Sequence, residues 1–96
     1  MREYEVMLIL PPDADDAAVD GVVERITAIL TERGGEVGRV DRWGRRRLAY
    51  QIARNTEGYY VVVGFKAEPG VILELDRVLS LVDEVIRFKV VLRRAA

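Results

Sequence analysis

Residues 2 to 10 alternate in polarity, with Tyr4, Val6, Leu8 and Leu10 on one parity and Glu3, Glu5, Met7 and Ile9 on the other. A period of two predicts a β-strand, because successive side chains leave a strand on opposite sides. Pro11-Pro12 ends the run, since neither ring nitrogen donates to a ladder. Beyond it, Val19, Val22, Val23, Ile26, Ile29 and Leu30 recur mostly at intervals of three and four. That spacing predicts a helix with one apolar stripe. Asp13 or Asp15 can cap its start by accepting from free amides. Gly21 weakens it slightly, and Gly34-Gly35 supplies a left-handed stop.

Residues 36 to 53 read as a long, disturbed strand. Val37 has odd parity, whereas Val40, Leu48, Tyr50 and Ile52 are even. A bulge near Gly38 or a bend at Trp43-Gly44 reconciles them. Asn55 to Gly58 has the composition of a turn, and residues 59 to 67 carry the strongest strand signal of the chain. Pro69 suits a helix start, and Val71, Leu75, Val78, Leu79 and Val82 follow at helical spacing. Residues 84 to 94 predict a last strand in which Ile86, Phe88, Val90 and Leu92 alternate with Arg87, Lys89, Val91 and Arg93.

The resulting order is strand, helix, strand, strand, helix, strand. With right-handed crossovers it predicts an α+β, ferredoxin-like βαββαβ sandwich. Its sheet is antiparallel in the order four-one-three-two, with two helices on one face and the other face open. The 96 residues suit a single domain spanning 1–96. If Val6, Leu8, Val61, Val63 and Val90 point to the helices, then Met7, Ile9, Tyr60, Val62 and Val91 point away. An apolar patch ringed by charge is either a contact surface or ordinary surface apolarity.

Composition narrows the chemistry. The chain has no cysteine and no histidine. Disulfides and thiolate metal sites are excluded, as are the commonest general base and the commonest transition-metal ligand. Ser80, Thr27, Thr31 and Thr56 are the candidate nucleophiles, with no imidazole to activate them. Gly34-Gly35 is followed by Glu36 rather than by a phosphate-binding lysine. Pro11-Pro12-Asp13 is a poor anion cradle, which argues against an acylphosphatase. We therefore expect no enzyme, no cofactor, no metal and no small-molecule substrate. Val6 to Leu10 is too short for a membrane span or signal core, so the expectation is a soluble, cytoplasmic protein without membrane contact.

The net charge of −1 hides an asymmetry. Asp13, Asp15, Asp16 and Asp20 cluster without a base. Residues 39 to 54 hold Arg39, Arg42, Arg45, Arg46, Arg47 and Arg54 against Asp41, and residues 87 to 94 hold Arg87, Lys89, Arg93 and Arg94 without an acid. Local basic patches on a near-neutral chain suggest a local nucleic-acid footprint. Arginine grips phosphate through its planar fork and stacks on bases, and Trp43 and Tyr50 flank Arg45, Arg46 and Arg47. A second reading stays open, in which these arginines decorate a solvated strand while Leu48 and Tyr50 pack inward. Arg87 and Lys89 share a parity, which suits either phosphate contact or protection of a sheet edge.

Four segments together resemble a known family: Met1-Arg2-Glu3-Tyr4-Glu5, Gly44 to Ile52, Glu57-Gly58-Tyr59-Tyr60, and Val85 to Val91. They look like the bacterial small-subunit ribosomal protein six family, over Met1 to about Arg94. Its members typically carry Arg-Arg-Leu-Ala-Tyr-Pro-Ile after a glycine, and Gln51 here replaces the proline. The resemblance implies a structural constituent of the small ribosomal subunit with a ferredoxin-like fold. It implies binding to the central domain of the small-subunit ribosomal RNA, as a heterodimer with small-subunit ribosomal protein eighteen, which is strongly basic in the family. On that footing Arg2, Arg45, Arg46, Arg47, Arg87, Lys89 and Arg93 meet RNA phosphates, and Tyr50 reaches a sugar or base edge unless it is core. Glu3, Glu5, Met7, Ile9, Tyr60, Val62 and Val91 dock the protein partner. Two rivals share the fold. One is an RNA-recognition-motif binder of single strands, although Val61, Val62 and Val63 follow Tyr60 where stacking aromatics belong. The other is a small-molecule regulatory or acylphosphatase-like domain.

Overall fold

The computed structural model describes residues 1–52 and 54–93. Six elements follow in the expected order: β1 (Arg2–Leu10), α1 (Asp16–Glu32), β2 (Glu36–Ile52), β3 (Asn55–Ala67), α2 (Val71–Ser80) and β4 (Arg87–Leu92). The strands form one sheet in the order β2-β3-β1-β4, and the three neighbouring pairs are all antiparallel. This is the predicted ferredoxin-like α+β arrangement.

Parity decides which side chains meet the helices. Val6 lies opposite Val63 and Val90, and Leu8 opposite Val61 and Phe88. These residues join Val19, Val22, Ile26 and Leu30 of α1 and Leu75 and Leu79 of α2 in one core cluster. No polar or charged residue is buried among the described residues, so the core rests on apolar burial. The Asp15 side chain caps α1 by accepting from the Ala18 amide at 2.8 Å, as the sequence suggested. At the other end Gly34 adopts φ +80. Gly35 is required by proximity, because a Cβ there would lie 2.7 Å from the Lys66 carbonyl oxygen.

Both proposed disturbances of β2 are present. Its register against β3 shifts between Val37 and Val40 and again between Arg42 and Gly44, where Gly44 takes φ +83. The expected turn at Asn55 to Gly58 is instead strand. Ile52 pairs with Asn55, so the chain reverses between those two residues, and Arg54 adopts a φ of 66. Cross-strand pairing overrode a turn-like composition. Gly58 serves close packing there, since a Cβ would come within 2.5 Å of Ile9 Cγ2. The last strand begins at Arg87 rather than residue 84. Val82 is buried and its carbonyl accepts from the Val85 amide at 3.1 Å, which holds the preceding residues in a turn. Residue 94, the expected end of that strand, lies outside the described residues.

Candidate nucleic-acid interface

β1 ends at Leu10, opposite Tyr59, yet β2 and β3 continue past it. Arg46 pairs with Gly58, Arg47 with Glu57 and Ile52 with Asn55. The continuation is a two-stranded arm carrying the arginine-rich segment. Arg45 lies opposite Tyr59, which packs against the main core, so Arg45 and Arg47 take the helix-side parity. Arg46 takes the open-side parity. The three arginines therefore flank the arm on both faces rather than forming one row. The bulge at Gly44 brings Trp43 onto the open side, where its ring stacks on Tyr60 with centroids 6.3 Å apart. The Arg46 guanidinium carbon lies 5.4 Å from the Trp43 ring centroid.

The arm curls back over the open face. Leu48 is buried but stands apart from the main core. A Cβ on Gly58 would meet Ile9 Cγ2 and, at 3.5 Å, Leu48 Cδ2, so Ile9 and Leu48 line the same space. Farther along, Tyr50 is 62% exposed, and the reading that places it in the core is not met. Arg87 Nη1 donates a hydrogen bond to the Tyr50 hydroxyl, and the Arg87 guanidinium carbon sits 5.7 Å from the Tyr50 ring centroid. Arg87 belongs to β4, opposite Ile9. Two residues 37 positions apart are thus joined at the same end of the sheet as Arg45, Arg46 and Arg47.

The other proposed cations lie elsewhere. Arg2 is exposed at the far end of β1, opposite Ala67. The Arg93 amide donates to the Glu3 carbonyl at 2.9 Å. At about 3.3 Å per residue, Glu3 and Ile9 are about 20 Å apart along the strand. Arg2 and Arg93 therefore do not share a patch with the arm. Lys89 lies midway, exposed and opposite Met7.

Charge neutralisation separates these groups further. Arg93 lies 3.6 Å from Glu5, and Lys66 lies 3.8 Å from Glu3. Both carboxylates expected to meet a basic partner thus already face a cation. A cleft of about 350 Å³ lies at this end, over Gly38 and Gly64 and beside Glu3, Lys66 and Arg93. Arg39 pairs with Asp41 at 3.0 Å. Arg42 bonds Asp20 and lies 3.3 Å from Asp16, both on α1, and the Asp20 hydrogen bond raises the Arg42 pKa above its ordinary value. Arg45, Arg46, Arg47 and Arg87 form no ion pair among the described residues. Glu57 stands opposite Arg47 in the ladder, and the charges of Arg45, Arg46 and Arg87 are available to an external anion. Charge alone places Arg39 and Arg42 in the same basic stretch as Arg45, Arg46 and Arg47; the acids that neutralise Arg42 lie 22 and 26 positions away.

The apolar open face is smaller than parity alone implies. Ile9 and Val62 are buried, Met7 and Tyr60 are half-buried, and Val91 is exposed. Trp43 and Leu48 of the same chain occupy part of that face. Among the described residues, no helix is long and apolar enough to cross a membrane.

Residues 3–92 match the family model described as Ribosomal protein S6. The chain belongs to the ribosomal protein S6 family. Among its relatives is the small ribosomal subunit protein bS6 of Moorella thermoacetica, 49% identical over 92% of this chain and 90% of that protein. The bS6 protein of Mycolicibacterium paratuberculosis is 51% identical over 94% of each chain. The crystal structure of 30S ribosomal protein S6 from Thermotoga maritima superposes with a TM-score of 0.85. It is 33% identical, covering 96% of this chain and 87% of that one. These relatives are ribosomal proteins, not enzymes, and the similarity covers the arm as well as the core.

Proposed function

We propose that this chain is a cytoplasmic, non-catalytic constituent of the small ribosomal subunit. It binds the central domain of the small-subunit ribosomal RNA together with small-subunit ribosomal protein eighteen. The observation that carries this reading is the distal end of the sheet, where Arg45, Arg46, Arg47 and Arg87 lie without an ion pair among the described residues. Guanidinium groups not held in ion pairs suit a folded polyanion. Lys89 supplements them from the centre of the open face. Arg2 and Arg93 serve a separate contact at the opposite end. Glu3, Glu5, Met7, Tyr60 and Val91 form the exposed or half-buried part of the partner surface, with Ile9 and Val62 as its buried floor.

A chain of net charge −1 gains little from long-range attraction to RNA, so a basic partner strengthens binding by adding charge. The isolated chain therefore binds RNA weakly, and the heterodimer binds it tightly. Two measurements test this. A tagged chain should co-purify with small-subunit particles and with protein eighteen. In a titration of a central-domain RNA fragment, Arg47→Ala should lower the affinity of the heterodimer and reduce the salt slope by about one phosphate contact. Tight, salt-insensitive binding by the lone chain, or an unchanged slope in the variant, contradicts the reading.

The Trp43–Tyr60 stack supports one alternative, a binder of single-stranded RNA through the open face. Quenching of Trp43 fluorescence by short single strands, in the absence of any partner, would favour that reading.

A further inference from the structure

The arm beyond Leu10 is a two-stranded ribbon, and such ribbons hold a defined shape poorly in water unless something packs on them. Near its root, Leu48 shares the space above Gly58 with Ile9. Closer to the tip, Tyr50 is largely exposed and contacts Arg87 through its hydroxyl and its ring. β2 and β4 are the two edge strands of the sheet. The Tyr50–Arg87 contact therefore joins opposite edges across the ends of β1 and β3.

We propose that Tyr50 is a positioning residue: it latches the arm to β4 and sets the spacing between Arg87 and Arg46, the arm arginine of open-side parity, so that the two meet RNA as one preformed surface. This deepens the proposed RNA-binding function and rests on it. The choice of partner is what points to such a role. Arg42 is held by Asp16 and Asp20, which cancel its charge. Arg87 is held by a phenol, which is neutral. A guanidinium has five N–H donors, so the one given to Tyr50 leaves the others for phosphate oxygens. Tyr50 thereby fixes Arg87 in place without removing its charge, and groups ordered beforehand lose less freedom on binding. Tyr50 acts through Arg87 rather than by touching RNA itself.

The test compares the heterodimer carrying Tyr50→Phe, Arg87→Ala and both changes, titrated with a central-domain RNA fragment at several salt concentrations. Tyr50→Phe should weaken binding about threefold to tenfold with the salt slope unchanged, because no phosphate contact is lost. Arg87→Ala should weaken it by about tenfold and reduce the slope by about one. The double variant should bind no more weakly than Arg87→Ala alone, since Tyr50 has nothing left to position. Wild-type affinity in Tyr50→Phe overturns the proposal, and so does a double variant whose losses add.

A second measurement is independent of RNA. In the free chain, Tyr50→Ala should raise nanosecond mobility at the amides of the arm and at Arg87 Nε, read by nitrogen-15 relaxation, with the melting temperature nearly unchanged. Unaltered relaxation overturns the latch. If the wild-type heterodimer fails to bind the fragment, the proposed function falls, and relaxation alone then decides whether Tyr50 holds the arm.

Discussion

The two sides of the sheet are held by different forces. On the helix side, Val6, Leu8, Val61 and Val63 are fully buried against α1 and α2. The open side has no second layer. It is organised by a stacked aromatic pair, exposed ion pairs and the folded-back arm, with a smaller buried apolar set in Ile9, Val62 and Leu48. Apolar burial is worth several times more than an exposed ion pair, so stability resides on the first side. The exposed ion pairs of the second side can be exchanged for those of a partner at little cost. A small protein that must both fold and bind can separate the two tasks in this way.

The largest expected break in that contrast is Leu8→Ala. It empties a fully buried position and should cost about 2–5 kcal/mol in urea unfolding. Met7→Ala, one residue away on the half-buried face, should cost about 1 kcal/mol or less. Comparable losses at the two positions would mean that the open face carries as much of the stability as the core.

Gly58→Ala sharpens the comparison from the other side. Its Cβ would press on Ile9 Cγ2 where the arm meets β1, and the overpacking should cost about 1–3 kcal/mol. Because the clash lies on the open side, the same change should loosen the arm and weaken RNA binding, whereas Leu8→Ala should lower stability while leaving the affinity of the folded protein near wild type. Gly21→Ala should act in the opposite direction. A Cβ at this exposed helical position meets nothing within 4 Å, so the variant should gain about 0.5–1 kcal/mol through helix propensity, visible as a higher melting temperature.

The smallest effect concerns Glu74. Its hydrogen bond from Arg77 lowers its pKa in the folded chain. As pH falls the unfolded chain takes up this proton first, so the contribution of Glu74 is present above the ordinary carboxylate range and is lost as pH drops through the lowered folded value. Glu74→Gln should therefore reduce stability slightly at neutral pH and leave it unchanged in strong acid. A difference that persists in strong acid would show that the pair acts through packing rather than charge.

Much of this molecule could be read from its pattern. Alternation in β1 and the spacing of three and four in α1 give the core residues directly, because each side chain's direction follows from local backbone geometry. The disturbance in β2 was visible as a change of parity. Other features were not legible. Asn55 to Gly58 has turn chemistry, yet pairing with Arg46 and Arg47 makes it strand. Ile9 and Val62 have the parity of an exposed surface but are buried. Covering them depends on where a distant segment folds, and no local rule contains that information.

The order of elements, the membership of the core and the presence of basic segments were determined by the sequence itself, since periodicity and composition act locally. Which arginines keep their charge for an outside partner was decided only by the tertiary structure. Coulomb attraction depends on distance in space, and folding placed Asp16 and Asp20 beside Arg42 but a neutral tyrosine beside Arg87.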